Sequence, residues 1–277
     1  MTEIADRVAV AKQLAANIRE YLGKLMPEQM ELPSACDQWQ VQDVVSHLVG
    51  GAERQAGSME RGRAGNHDPP DGFVPVDNQT MSNSNAQRDI ERRNKLAGGL
   101  LQAYDENYAW LHDEYDKYAA GSWDTLAWHA RRGAMPGSDY VLLRIQELAI
   151  HDWDIRSALD PNAGLDPASI PPLLDMSTNW LRMCFRPSEK LARPVVYGFG
   201  LGPDQPREYR LEVTGDAFEM TSGMPSGPDL SVSATAQQYL LFTYGRLSAA
   251  DGISSGKLSA EGEPSHLDRF EAWFKGL

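Results

Sequence analysis

The 277-residue sequence predicts a mainly α protein, in which a four-helix bundle precedes a small α+β domain built on an antiparallel sheet. Two observations support this fold class. Apolar residues recur at helical spacing through most of residues 3–159. Short alternating segments bounded by Gly, Pro and Asp follow in the second half. We therefore expect two domains, at residues 1–165 and 166–277.

The four bundle helices are expected at about residues 3–24, 41–60, 86–118 and 138–159. In the second helix, Val44, Leu48 and Gly51 lie on one stripe. Ser138 is a good N-cap for the fourth helix, and Asp160-Pro161-Asn162 ends it. Four long amphipathic helices in succession are typical of a bundle, because each one must bury its apolar stripe against the others.

Two long loops interrupt this helical half. Residues 61–84 are rich in Gly, Pro, Asn and Asp, and residues 119–137 form the second loop. A loop as long as the first is more often a lid or a binding loop than a bare connector. In the second loop Trp128, His129, Arg131 and Arg132 could line the mouth of a site, but we interpret them as loop residues with ordinary exposure.

After one more helix, at about residues 168–185, the sequence pattern changes from helical periodicity to short alternating segments. Strand-like segments are expected at residues 192–200, 207–215, 217–223 and 229–235. A helix (236–244), a short strand (257–261) and a terminal helix from residue 265 follow. Strands grouped together and flanked by helices indicate an α+β unit.

Charge and cysteine content narrow the class of protein. The 39 Asp and Glu residues outnumber the 26 Lys and Arg residues, for a net charge of −13. This balance argues against nucleic acid or an anionic membrane as the main partner, because both need a cationic surface. The first residues lack the basic head of a signal peptide, and Cys36 and Cys184 have no CxxC spacing. We expect a cytoplasmic protein in which both cysteines are structural or incidental.

One constellation of residues is able to carry chemistry. In the segment RIQELAIHDWD, Glu147 and His151 are four residues apart, so a helix places them on one face. His47 lies in the apolar segment VVSHLVGG, where its ring is expected to point into the bundle. Two imidazoles and a carboxylate from two helices would leave coordination positions open, as in catalytic zinc sites and in the facial triad of non-haem iron.

The alternative interpretations are structural. Glu147 and His151 would then form a solvated or structural polar pair, and His47 would be a hydrogen-bonded core histidine. If the three residues do bind a metal, each imidazole needs a partner for its second ring nitrogen. The candidate partners in the sequence are Asp43, Asp152 and Asp154.

The stretch DQWQVQDVVSHLVGGAERQ, followed by RIQELAIHDWDI, resembles the mycothiol-dependent maleylpyruvate isomerase family of the DinB-like superfamily. Trp39, Asp43, His47, Glu147 and His151 match the family's Trp-xxx-Asp-xxx-His run and its later Glu-xxx-His. The segments SATAQQYLLFTYGRLSAADG and KLSAEGEPSHLDRFEAWF are similar to the family's sterol-carrier-like C-terminal domain. The 61–84 insertion is larger than we expect for the family.

The resemblance implies a DinB-like metal-binding bundle in which His47, Glu147 and His151 hold a divalent metal, preferably Zn²⁺. It also implies mycothiol as the thiol cosubstrate, since a coordinated thiol gives up its proton and becomes the nucleophile. Arg246 matches a C-terminal arginine that the family places near the metal, where its guanidinium suits a carboxylate. Its alternative role is a cation at a helix C-terminus.

The insertion favours an S-transferase in which the activated thiol attacks an electrophilic small molecule, in natural-product or detoxification metabolism. The reason is that a remodelled pocket suits something bulkier than a small diacid. Three alternatives remain open: a maleylpyruvate cis–trans isomerase using mycothiol, a metal-free ligand-binding protein, and an iron oxygenase built on the same three residues.

Overall fold

The computed structural model describes residues 3–75, 81–274 and 276, with the backbone alone for residues 81–83. The chain divides into two compact units, at residues 1–169 and 170–277. The first unit is helical and the second combines helices with a sheet, which confirms the predicted fold class. In the described part of the chain, no helix combines the length and the apolar character needed to cross a bilayer.

The first unit is a helical bundle with a small hairpin. Its elements are α1 (Ile4–Leu22), α2 (Pro27–Met30), α3 (Val41–Arg63), α4 (Met81–Leu96), α5 (Leu100–Ala120), β1 (Leu126–His129), β2 (Gly133–Pro136) and α6 (Gly137–Arg156). Helix α3 contacts α4, α5 and α6, while α1 packs on α5 and α6. Because α3 is covered from several directions, its polar residues near the middle are buried with the apolar ones.

The predicted third helix is two helices. Ala97 has a φ of 47°, a left-handed conformation that a continuous α-helix does not contain. Gly98 and Gly99 follow it, and glycine has a low helix propensity. The helical periodicity on both sides of this break concealed it, so the expectation of one helix over residues 86–118 was wrong.

The two predicted loops are also more ordered than expected. Helix α3 continues to Arg63 and α4 begins at Met81, so the irregular segment is shorter than the insertion at 61–84, of which residues 76–80 lie outside the described residues. The second loop contains the β1–β2 hairpin, with His129 opposite Gly133. Pro136, rather than Ser138, is the N-cap of α6.

The second unit is built around a five-stranded sheet. Its elements are α7 (Ile170–Asp175), α8 (Ser177–Cys184), β3 (Val195–Leu201), β4 (Arg207–Val213), β5 (Phe218–Ser222), β6 (Leu230–Ala234), α9 (Ala236–Thr243), α10 (Ala249–Ser254), β7 (Leu258–Gly262) and α11 (Ser265–Phe274). The strand order is β5-β4-β3-β6-β7. All neighbouring strands are antiparallel except β3 and β6, which are parallel.

Aromatic packing fixes the helices on one face of this sheet. The ring of Phe199 on β3 lies 5.5 Å from the rings of both Tyr239 on α9 and Phe270 on α11, measured between centroids. Thr235 caps α9 through a reciprocal pair of hydrogen bonds with Gln238. Buried residues recur at alternate positions along most of β3 and β4, so the sheet has a buried face, as the sequence pattern predicted.

Candidate metal centre

His47 on α3 converges with Glu147 and His151 on α6. Nε2 of His47 lies 2.9 Å from Oε2 of Glu147, and Nε2 of His151 lies 3.8 Å from the same oxygen. The ligand atoms of all three side chains lie within 4.8 Å of one another. The structure thus brings together the three residues that the sequence singled out, and each histidine turns its Nε2 toward the shared carboxylate.

Two further carboxylates contact the histidine rings at Nδ1, the nitrogen that does not face Glu147. Oδ2 of Asp89 on α4 lies 2.8 Å from Nδ1 of His47, and Oδ2 of Asp154 lies 2.9 Å from Nδ1 of His151. Both aspartate side chains are fully buried. A carboxylate on one ring nitrogen fixes the ring's orientation and tautomer and leaves the other nitrogen for a metal.

Of the two aspartates that contact the histidines, only Asp154 was predicted from the sequence. Asp154 was among the three candidates, but Asp43 and Asp152 have other partners. Asp43 accepts a hydrogen bond from the backbone N–H of Gln40 at the start of α3, and Asp152 is bonded to Arg156. A capping carboxylate at a helix start and an i, i+4 ion pair both direct these groups away from the two histidines.

Asp89 is the residue that sequence reasoning missed. It lies on α4 three residues after Ala86, and both side chains are buried. A charged residue on the apolar stripe of an amphipathic helix was the available signal, since a buried carboxylate needs a partner. The sequence alone does not identify that partner, because His47 is 42 positions away in the chain.

The electrostatics of the cluster follow from this pairing. Burial lowers the pKa of His151, but its hydrogen bonds to Asp154 and Cys36 outweigh burial and raise that pKa to about 9. For His47 the same competition, with Asp89 and Glu147 as partners, also ends in a raised pKa. Partial desolvation opposes ionisation of Glu147, yet His47, His151 and Arg144 hold its pKa well below the usual value.

The segment before α3 closes one side of the cluster. The ring of Trp39 lies 5.0 Å from that of His47 and 6.1 Å from that of His151, between centroids. Cys36 donates a hydrogen bond to Oδ2 of Asp154 at 3.2 Å, and its sulfur lies 4.0 Å from Nδ1 of His151. Cys36 therefore belongs to the hydrogen-bond network behind His151, and its structural role stays a prediction.

The hairpin packs against the long loop and against α6. The ring of Phe73 packs edge-on against Trp128 with centroids 4.5 Å apart, and His129 packs against Tyr140 at 5.2 Å. Burial lowers the pKa of His129 to about 4. The interpretation of Trp128 and His129 as ordinary exposed loop residues was therefore wrong, because the hairpin turns both side chains onto their neighbours.

Arg246 belongs to the second unit. It follows α9, and its Nη1 donates to the carbonyl oxygen of Tyr244 at 3.1 Å, within its own turn. This contact agrees with the alternative role of a cation at a helix C-terminus. The catalytic role of Arg246 stays a prediction.

The three converging side chains suit a divalent metal. Zinc–nitrogen and zinc–oxygen bonds of about 2.0–2.2 Å with tetrahedral angles place neighbouring ligand atoms roughly 3.3 Å apart. The observed separations of 2.9 and 3.8 Å lie on either side of that value. Two neutral nitrogens and one carboxylate leave at least one coordination position for an exogenous group. The side chain of Glu147 is 39% exposed, so solvent reaches the cluster.

Comparisons with known proteins identify relatives of this chain. The chain is similar to two uncharacterised proteins of Mycobacterium tuberculosis, from strains CDC 1551 and H37Rv, each 26% identical over 146 residues. These matches cover 53% of this chain and span 63% of the length of each relative.

In structure, the chain is similar to the mycothiol-dependent maleylpyruvate isomerase, with a TM-score of 0.65 and 14% identity over 95% of each chain. At that identity the likeness shows the fold. Residues 11–156, which contain all of the cluster, match the family described as the mycothiol maleylpyruvate isomerase N-terminal domain. The chain belongs to this family.

Proposed function

We propose that this protein is a divalent-metal enzyme that uses mycothiol to isomerise the double bond of a conjugated electrophile, of the maleylpyruvate type. The observation that carries the proposal is the paired support of the two histidines, because each Nε2 faces Glu147 while a separate buried carboxylate holds each Nδ1. Family membership supports the choice of mycothiol as the thiol.

Isomerisation is better supported than the S-transfer that the sequence favoured. The argument for transfer was the size of the 61–84 insertion. Both ends of that segment are helical, which shortens the irregular part and weakens the argument for a remodelled pocket. The fold of the maleylpyruvate isomerase, by contrast, extends over 95% of the chain.

The protein's own residues would position the reaction. His47, Glu147 and His151 would hold the cation, while Asp89 and Asp154 keep both rings turned toward it. A divalent cation bound there supplies Lewis acidity that lowers the pKa of a coordinated thiol. The thiolate then adds to the electrophile, forming an S–C bond as the π electrons move to the conjugated carbonyl oxygen. After rotation about the former double bond, those electrons return, the S–C bond breaks and the thiolate is released unchanged.

Arg246 is the predicted catalytic residue outside the cluster. Its guanidinium would hold a carboxylate of the electrophile in a bidentate pair, or donate a hydrogen bond to the oxygen that receives the π electrons. This role belongs to the proposal, and an Arg246→Gln variant tests it through the KM for the electrophile.

The decisive experiment combines the purified protein with Zn²⁺, mycothiol and maleylpyruvate, and follows the substrate by absorbance and the thiol by mass spectrometry. We expect isomerisation that depends on catalytic mycothiol, with the thiol recovered unchanged. A stable mycothiol adduct that accumulates with turnover would establish S-transfer instead. Oxygen consumption dependent on Fe²⁺ would indicate the oxygenase, and retention of no metal would indicate the binding protein.

A further inference from the structure

The imidazole of His151 has a group of ligand atoms at each of its two nitrogens. Nε2 faces the candidate metal centre, while Nδ1 faces Sγ of Cys36 and Oδ2 of Asp154, and the ligand atoms of this second group lie within 4.8 Å of one another. Oδ2 of Asp154 is 2.9 Å from Nδ1 and 3.2 Å from Sγ, and Sγ is 4.0 Å from Nδ1. We call these three side chains the Cys36 site.

The turn before α3 positions the sulfur of this site through backbone contacts. The N–H of Ala35 donates to the carbonyl oxygen of Asp154 at 3.4 Å, which attaches the turn to α6. The hydroxyl of Ser34 accepts the N–H of Cys36 at 3.1 Å and donates to the carbonyl oxygen of Trp39 at 2.8 Å, which closes the turn. Cys36 is therefore held beside Asp154 by more than its own thiol.

The separations in the Cys36 site suit a tetrahedral cation. Bond lengths of about 2.3 Å to sulfur and about 2.0–2.1 Å to nitrogen or oxygen place neighbouring ligands roughly 3.6 Å apart when one is sulfur, and roughly 3.3 Å apart when neither is. The two sulfur separations, 3.2 and 4.0 Å, lie on either side of the first value. The nitrogen–oxygen separation of 2.9 Å is slightly below the second. Small side-chain shifts therefore admit the ion.

The charges of the three ligands also match a divalent cation. A coordinating thiol is deprotonated, so the S–H bond breaks, the sulfur–metal bond forms and the proton passes to solvent. The thiolate of Cys36 and the carboxylate of Asp154 together carry two negative charges, which one divalent ion neutralises. Cys36 is half-buried, so an ion reaches its sulfur from solvent, whereas the side chain of Asp154 is fully buried.

The Cys36 site and the candidate metal centre share one imidazole ring. A neutral imidazole has a proton on one nitrogen and a lone pair on the other. A cation on Nδ1 of His151 leaves the proton on Nε2, which lies 3.8 Å from Oε2 of Glu147 and then acts as a donor rather than as a metal ligand. A cation on Nε2 leaves the proton on Nδ1, where Asp154 accepts it. Cations at the two positions therefore compete for His151.

We propose that Cys36, Asp154 and Nδ1 of His151 bind a soft, thiophilic cation such as Cd²⁺, and that this ion excludes the divalent metal of the candidate centre. Thiolate selects soft metals, whereas the candidate centre offers only nitrogen and oxygen. Zn²⁺ is softer than most hard cations but gains less than Cd²⁺ from a single sulfur. The exclusion is reciprocal, because each cation weakens the binding of the other by the same factor. The site itself does not depend on the proposed reaction.

The first test titrates the metal-free, full-length protein with Cd²⁺ and follows the ultraviolet charge-transfer absorption of the Cd²⁺–thiolate bond. The chain has two cysteines, and the other, Cys184, is buried in the second unit, so Cys36→Ser and Cys184→Ser form a matched pair. We expect about one equivalent of thiolate-bound Cd²⁺ in the wild type and in Cys184→Ser, and none in Cys36→Ser. Serine keeps a hydroxyl that donates to Asp154, and an unchanged melting temperature checks that this variant folds.

Two histidine variants separate the Cys36 site from the candidate centre. Loss of an outer-sphere partner costs about 10- to 100-fold in metal affinity, so loss of a ligand should cost at least about tenfold. We expect this loss of Cd²⁺–thiolate affinity in His151→Ala, which removes a ligand from both sites. His47→Ala should stay within about twofold of the wild type. Absorption that persists in Cys36→Ser, or that is insensitive to His151→Ala, would overturn the Cys36 site.

The second test measures the exclusion by zinc release. The protein is loaded with one equivalent of Zn²⁺ and titrated with Cd²⁺, while a chromogenic chelator reports the zinc set free. We expect half-release from Cys36→Ser to need at least about fivefold more Cd²⁺ than half-release from the wild type. Equal requirements would mean that Cd²⁺ displaces zinc directly, and would overturn the exclusion. Thiolate-bound Cd²⁺ in a protein that binds no zinc would remove the candidate centre and the exclusion, and leave the Cys36 site.

Discussion

Oδ2 of Asp89 lies 2.8 Å from Nδ1 of His47, and this contact determines which nitrogen of the ring faces Glu147. We expect Asp89→Asn to weaken Zn²⁺ binding by about 10- to 100-fold, because the ring loses the carboxylate that fixes its tautomer and raises its basicity. Competition with a chromogenic chelator measures the change. Asp105→Asn, which alters an exposed carboxylate on α5, is the matched control and should bind zinc normally.

Removal of a ligand should have a larger effect. His47→Ala and His151→Ala each leave two donor atoms, so we expect bound zinc to fall to a small fraction of one equivalent and turnover to fall by about 100-fold or more. Metal content after dialysis and the rate with mycothiol measure these changes. His67→Ala, in the exposed part of the long loop, is the control. If His47→Ala retained a full equivalent of zinc, the three-residue centre would be refuted.

Metal binding should release protons. The pKa of His151 is raised to about 9, so its imidazole is largely protonated near pH 7, whereas a metal binds only the neutral ring. Asp89 and Glu147 raise the pKa of His47 as well, so protons compete with the metal at both rings. Zinc affinity should therefore rise with pH up to about pH 9, by about tenfold per pH unit for each proton released. Calorimetry in buffers of different ionisation enthalpy counts the protons. Zinc affinity that is flat between pH 6 and 8 would contradict the assignment.

His112 on α5 makes the unfolding free energy of the protein depend on pH. Burial and, to a lesser extent, Lys12 lower the pKa of His112 to about 4, and an unfolded chain restores it to about 6.5. Within that window the unfolded state binds the additional proton, so stability that is present above pH 6.5 declines as the pH falls toward 4. His112→Gln should show a smaller loss of unfolding free energy between pH 7 and pH 5 in urea titrations, whereas parallel pH profiles would exclude this contribution.

Measurements of stability can test the close approach of Arg144 to Gly51 on α3. Alanine normally stabilises a helix relative to glycine by about 1 kcal/mol. At Gly51 the added methyl group would lie 2.7 Å from the buried Nη1 of Arg144, and we expect a net loss of about 1–3 kcal/mol. At Gly57 the nearest atom is 3.3 Å away, on the ring of Trp110, which needs to move only a few tenths of an ångström. Gly57→Ala should therefore be clearly more stable than Gly51→Ala in thermal unfolding.

Periodicity was sufficient to predict most helices and strands of this protein, because burial imposes a repeat that the sequence displays. It failed where the backbone departs from regular geometry without interrupting that repeat. Ala97 is such a position, since alanine ordinarily favours a helix and nothing in its identity indicates a φ of 47°. The hairpin at residues 126–136 was missed for a related reason, because its two strands of four residues are too short for an alternating pattern to be distinguished from a loop.

The three candidate ligands could be identified from the sequence because two of them share a helical face and the third interrupts an apolar run. Glu147 and His151 are neighbours on one helical face, and His47 stands out among valines and leucines. Asp89 could not be placed in the same way. Its role arises from its tertiary contact with His47, from α4 to α3, and a charged residue on a helix is ordinarily solvated.

The two raised histidine pKa values have a consequence for the charge of the cluster. A proton on an imidazole places a positive charge beside the Glu147 carboxylate, as a bound divalent cation would. The carboxylate therefore keeps a positively charged neighbour in either condition, and the three side chains need not reorganise when protons are exchanged for the ion.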